Sequence, residues 1–123
     1  MSRRESGDDG WGYLLSLHRQ KIRYDDDHWV TIRVTRIPPS KGRPDGVRYA
    51  FTLHDRYDER ILGYDNSRAV KTATGPAMKS KIAERFDHID RKGKNSIPYV
   101  FTTPYDLVAD FFAHVERILA EEA

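Results

Sequence analysis

Seven apolar side chains near the C-terminus, Leu107, Val108, Phe111, Phe112, Val115, Ile118 and Leu119, recur at three- and four-residue spacing. A stripe of that kind is one face of a helix, and it has to be covered. It therefore dictates what the rest of the chain must supply. The start of the helix is also written locally. Thr103 can cap it, Pro104 suits the first helical position, and Asp106 places an acid where it complements the helix dipole and the exposed amides.

The cover is written as strand alternation. In Trp29–Ile37, Val30, Ile32 and Val34 point one way and Thr31, Arg33 and Thr35 the other. Pro38-Pro39 ends that run. Val47–His54 alternates again, with Val47, Tyr49, Phe51 and Leu53 inward. A polar turn at 55–59 leads to Arg60–Tyr64, the partner strand of a hairpin, in which Ile61 faces opposite to Leu62 and Tyr64. Gln20–Tyr24 reads as a short strand, and Trp11–Leu17 as a short helix or an edge segment. Ile97–Thr102 reads as a last strand with Pro98 at its start or on an edge. The expected fold is α+β, an antiparallel β-sheet packed against a C-terminal amphipathic helix.

A chain of 123 residues is one domain by size. Residues 1–10 read as a disordered tail and 11–123 as a single α+β domain with a basic loop at 66–95. There is no cysteine, which excludes thiolate catalysis, disulfides and cysteine zinc sites. The first ten residues have no apolar h-region, and no apolar run approaches the ~20 residues that cross a bilayer. A soluble cytoplasmic protein is expected, with no cofactor.

The net charge is only +2, but it is unevenly spread. From Ser67 to Lys94, eight bases (Arg68, Lys71, Lys79, Lys81, Arg85, Arg91, Lys92, Lys94) face three acids (Glu84, Asp87, Asp90), a balance of +5. From Tyr105 onward, Asp106, Asp110, Glu116, Glu121 and Glu122 face Arg117 alone, a balance of −4. Either the loop takes an anionic ligand or it carries solvated charge.

No phosphate-binding glycine loop, His-Glu-x-x-His or nucleophile elbow occurs. The polar candidates are two short segments. Asp65-Asn66 follows a strand, where an Asx pair makes a turn by bonding nearby amides; alternatively Asp65 orients a base or binds a cation, with Asn66 donating to a phosphate or carbonyl. Asp87-His88-x-Asp90 concentrates proton carriers, and a histidine beside a carboxylate suits general acid–base work on a phosphodiester. Lys81 and Arg85 would then stabilise charge developing on the phosphate. The spacing matches no closed zinc or calcium motif, so no metal site is assigned. His54 faces away from the inward row and is placed near the site. His18, His28 and His114 look incidental. Arg33 and Arg48, on the polar faces of two strands, would form a basic stripe for RNA if those strands are neighbours.

Five segments in order carry a resemblance: Arg48-Tyr49-Ala50-Phe51-Thr52-Leu53-His54, Ile61-Leu62-Gly63-Tyr64-Asp65-Asn66, Asp87-His88, Pro98-Tyr99-Val100-Phe101 and Leu107-Val108-Ala109-Asp110-Phe111-Phe112. Over about Trp11 to Leu119 the chain resembles the TumE family, toxin components of bacterial toxin–antitoxin systems. The resemblance implies a cytoplasmic toxin encoded beside an antitoxin with a helix-turn-helix domain, and by analogy an activity on RNA. Asp65 and Asn66 match the family's Asp-Asn pair. Asp87 and His88 match the start of an Asp-His-x-His element whose fourth position is Asp90 here. Arg68 stands where some members carry another histidine, which favours anion binding. Two functions follow. One is a metal-independent endoribonuclease with His88 as acid or base, Asp65 or Asp87 orienting it, and Lys81, Arg85 and Arg68 holding phosphate. The other is a non-catalytic module that binds nucleic acid or protein.

Overall fold

A computed structural model describes residues 10–68 and 86–122 of the chain. Within them a short helix α1 (Trp11–Ser16) precedes six strands: β1 (Lys21–Asp25), β2 (His28–Arg36), β3 (Val47–His54), β4 (Arg60–Asp65), β5 (His88–Arg91) and β6 (Ile97–Pro98). Helix α2 (Pro104–Glu122) closes the domain. The strands form one antiparallel sheet in the order β1-β2-β3-β4-β5-β6, a meander in which every strand pairs with its sequence neighbour. The α+β architecture expected from the sequence is the one observed.

The apolar row of each strand faces the helices. Val30, Ile32, Val34, Tyr49, Phe51, Leu53, Leu62 and Tyr64 form a buried layer with Leu107, Phe111, Val115 and Ile118 of α2 and Leu14 of α1. Phe111 sits at its centre, edge-on to both Phe51 and Tyr64 with ring centroids 5.4 Å away. Fully burying such side chains stabilises by roughly 1.5–3 kcal/mol each. The start of α2 forms a reciprocal cap. The Asp106 amide donates to the Thr103 hydroxyl at 3.2 Å, and the Thr103 amide donates to the Asp106 carboxylate at 3.1 Å.

Three expectations change. A register irregularity between Leu53 and His54 accompanies the packing of Ile61 into the core cluster with Leu62 and Tyr64, where it was expected to face the other way. The stretch read as a basic loop at 66–95 includes β5, because His88–Arg91 alternate sides and pair with Leu62–Asp65. The last strand is shorter than Ile97–Thr102: β6 covers Ile97–Pro98, and Val100 is already exposed. The proline, which has no N–H, holds an edge position as its chemistry requires. Residues 1–9, most of the expected tail, lie outside the described residues.

Candidate functional site on the polar face of the sheet

The other face of the sheet has no helix over it among the described residues. Strand register builds it in rows. Arg33 of β2 faces Ala50 of β3, Ala50 faces Asp65 of β4, and Asp65 faces His88 of β5. In the adjacent row Thr31, Thr52, Gly63 and Asp90 stand side by side. Period-two alternation therefore separates Asp87 from its neighbours. His88 and Asp90 point to the polar face, whereas Asp87 accepts a hydrogen bond from the Tyr49 hydroxyl at 2.7 Å.

The centre of the face is a cluster of Asp65, His88 and Asp90. His88 Nε2 lies 3.1 Å from Asp65 Oδ1 and 3.2 Å from Asp90 Oδ2. Its Nδ1 is 2.7 Å from the Phe86 carbonyl. Both ring nitrogens thus face acceptor oxygens, and a neutral ring has only one N–H to offer. His88 has no exposed surface, Asp65 is 2% exposed, and the Asp90 side chain is 25% exposed. Asp90 is the member of the triad that reaches solvent.

Asp65 is held by its own turn. The Ser67 amide donates to Oδ1 at 3.0 Å and the Ser67 hydroxyl at 2.8 Å. Asp65 thus makes the Asx turn expected of it, and the same carboxylate lies beside His88. Burial pushes its pKa up, but the Ser67 amide, Arg60, the Ser67 hydroxyl and His88 outweigh burial and hold it below the ordinary value. Asp90 is fixed by Ser96 and by Arg68, whose guanidinium lies 3.2 Å from Oδ1.

Arg60 was not singled out in the sequence, yet it bridges the two acids. Its guanidinium is 2.7 Å from Asp65 Oδ2 and 3.4 Å from Asp90 Oδ2. It reaches them by lying over Gly63, where an added Cβ would collide with the guanidinium. The signal was present as Arg-x-x-Gly-x-Asp, a base and an acid on one strand with a side-chain-free position between them. Asp65, His88 and Asp90 present ligand atoms within 4.8 Å of one another, a spacing that could hold a metal ion. Arg60 and Arg68 already set two positive charges against the two carboxylates, so the chain itself supplies the cationic charge.

The other described candidates, Asn66 and His54, have partners of their own. Asn66 is consumed by β3: its carbonyl accepts from the Tyr49 amide at 3.0 Å and its NH2 donates to the Val47 carbonyl at 2.9 Å. His54 shares the polar face but belongs to a hydroxyl chain, with Nε2 2.8 Å from Thr52 Oγ1, which is 2.6 Å from Thr31 Oγ1. Lys81 and Arg85 lie outside the described residues. The supposedly incidental histidines all have partners. His18 accepts from the Val34 amide, His28 bridges Asp25 and Glu122, and His114 meets the Tyr64 hydroxyl. Arg43 was also missed. It donates to the carbonyls of Asn66 and Ser67, each at 2.7 Å, and pins the end of β4.

A family model described as Toxin TumE matches residues 14–119. No curated protein and no solved structure matches the chain. The match spans all six strands and nearly all of α2, so the chain belongs to the TumE toxin family. Membership makes it a toxin of a toxin–antitoxin system, with an antitoxin as partner. Among the described residues no helix is long and apolar enough to cross a membrane.

Proposed function

We propose that this TumE-family toxin acts on RNA in the cytoplasm as an endoribonuclease, restrained by an antitoxin that carries a helix-turn-helix domain. The observation that carries the reading is the cluster on the polar face, where His88 Nε2 sits 3.1 Å from Asp65 and 3.2 Å from Asp90 beside two guanidinium groups. Burying a carboxylate and an imidazole in this way is costly for folding, and such networks are weak sources of stability. The burial makes better sense as preparation for chemistry.

In this reading Asp90 takes the proton of a ribose 2′-hydroxyl. The 2′-oxygen attacks the adjacent phosphorus, the bond to the 5′-oxygen breaks, and the leaving oxygen takes up a proton from solvent. The products are a 2′,3′-cyclic phosphate and a 5′-hydroxyl. Arg68 and Arg60 face the charge that grows on the phosphate. His88 and Asp65 are positioning residues, because they hold Asp90 from behind. Asp87 is a structural partner of Tyr49 rather than a member of the reacting set.

One observation favours the non-catalytic reading: His88 has no exposed surface and both its nitrogens are engaged. The two readings separate in one experiment. Wild type, His88→Ala and Asp90→Asn are expressed with and without the antitoxin, and each purified protein is incubated with a pool of single-stranded RNA. The endoribonuclease reading expects growth arrest relieved by the antitoxin and cyclic-phosphate ends from the wild type. It expects Asp90→Asn to slow cleavage by about 10²–10⁴-fold, the usual worth of a positioned acid or base. Arrest by all three folded proteins without any RNA product gives the assignment to the binding module.

A further inference from the structure

Beside the cluster, on the same face, lies a hollow of about 270 Å³ lined by His18, Arg33, Thr35, Arg48, Ala50 and Ser67. It adjoins the cluster through Ser67, whose hydroxyl and amide hold Asp65. Strand pairing creates it. Arg33 faces the small Ala50 across β2 and β3, and Arg48 faces Thr35 one step along, so two long cations flank a shallow floor.

Two cationic side chains, Arg33 and Arg48, dominate the polar lining of this floor. Arg33 and Arg48 are exposed, and among the described residues no carboxylate is paired with either. His18 Nδ1 accepts the Val34 amide proton at 2.9 Å, so the proton of that ring is on Nε2. No carboxylate belongs to the described lining. The contrast with the neighbouring cluster is sharp, because Arg60 and Arg68 there are each tied to an acid.

We infer that this hollow is a subsite for a backbone phosphate of single-stranded RNA, one that lies a few nucleotides from the phosphate placed at Asp90. The inference rests on the RNA reading above. Geometry sets the offset: Arg33 stands three strand spacings from His88 along one row, about 14 Å at 4.7–4.9 Å per strand. An extended RNA strand crossing β2 to β5 would set one phosphate between Arg33 and Arg48 and a later one beside Arg68. The paired arginines fit a phosphate through the planar fork of the guanidinium. The subsite would contribute affinity and register, and no base selectivity, as backbone contacts do.

The test uses a 2′-O-methyl oligoribonucleotide, which binds but cannot be cut, and the full chain as wild type, Arg33→Ala, Arg48→Ala and the double variant. Affinity is read by fluorescence anisotropy over a range of salt, and cleavage of unmodified RNA is read in parallel. Each single variant should weaken binding severalfold. The double variant should reduce the salt slope by about 0.7, the value for one phosphate contact on a single strand. KM should rise while kcat at saturating RNA stays at the wild-type value. Arg33→Lys should recover part of the affinity because it restores the charge. Unchanged affinity, salt slope and KM in the folded double variant would overturn the subsite and leave the RNA reading standing. Wild type that neither binds nor cuts RNA would overturn both. If the double variant binds RNA normally but loses affinity for the antitoxin, the patch is a protein-docking surface and the inference fails.

Discussion

The two faces of the sheet are made by the same six strands and differ in almost every physical respect. The helix-covered face is apolar and closely packed; Phe51, Tyr64 and Phe111 meet edge-on there. The opposite face carries Arg33, Arg48, Arg60, Asp65, His88 and Asp90 in adjacent rows. Strand β5 belongs to both, since Ile89 packs against the core while His88 and Asp90 turn away from it. The difference teaches where to look for selection on function. Apolar burial is repaid directly in stability. A buried histidine between two acids is not, and its retention needs another reason.

Phe111→Ala would sharpen the contrast most. It removes the centre of the apolar layer and leaves a cavity, at an expected cost of about 3–5 kcal/mol. Denaturant melts should show a much lower midpoint, with growth arrest lost together with the folded population. A loss below about 1 kcal/mol would mean that the helix packs loosely, and the difference between the faces would then be overstated.

The sequence made the helix-covered face legible because periodicity is a local signal. Thr103, Pro104 and the stripe from Leu107 to Leu119 mark α2, and the alternation around Ile32 and Phe51 marks β2 and β3. The polar face was legible only in part. Asp65 and His88 stand out as residue types, but their meeting depends on β4 pairing with β5, and the charged, loop-like composition around His88 concealed that strand. The same composition grouped Asp87 with His88, and alternation in the strand sends them to opposite sides. Arg60 was hidden for a different reason. It acts through a glycine, and the missing side chain of Gly63 has meaning only once Arg60 is seen lying over it.

That slot gives the next test. Gly63→Ala places a methyl group where the Arg60 guanidinium lies. The obstacle is the far end of a flexible side chain, so Arg60 should swing out; alanine itself is no worse than glycine in a strand, and the lost bond to the buried Asp65 should cost about 1.5–3 kcal/mol. RNA cleavage should fall about tenfold, a modest share of what one charge-assisted hydrogen bond can supply. The control is a double-mutant cycle. In an Arg60→Ala background the glycine change should have no further effect on activity. Full additivity of the two changes would show that Gly63 matters for some reason other than room for Arg60.

The smallest effect belongs to the far end of the covered face, where α2 is tied to the β1–β2 hairpin by charge. His28 Nδ1 is 2.9 Å from Asp25 and its Nε2 is 3.0 Å from Glu122. Burial alone would lower its pKa, but the hydrogen bonds and charges of Asp25 and Glu122 win, and the value is raised. A histidine raised in the folded state adds stability that is complete below its unfolded value, about 6.5, and fades as pH rises through the folded value. His114 has the opposite sign: burial, then Arg117 and Arg91, lower its pKa, so acidification opposes folding there. The raw pH profile of the wild type mixes the two. The difference between wild type and His28→Gln isolates the first, and in denaturant melts it should be largest near pH 6 and nearly gone by pH 8. A difference that grows with pH would mean that the contacts of His28 favour its neutral ring, and the tie between helix and hairpin would then be packing rather than charge.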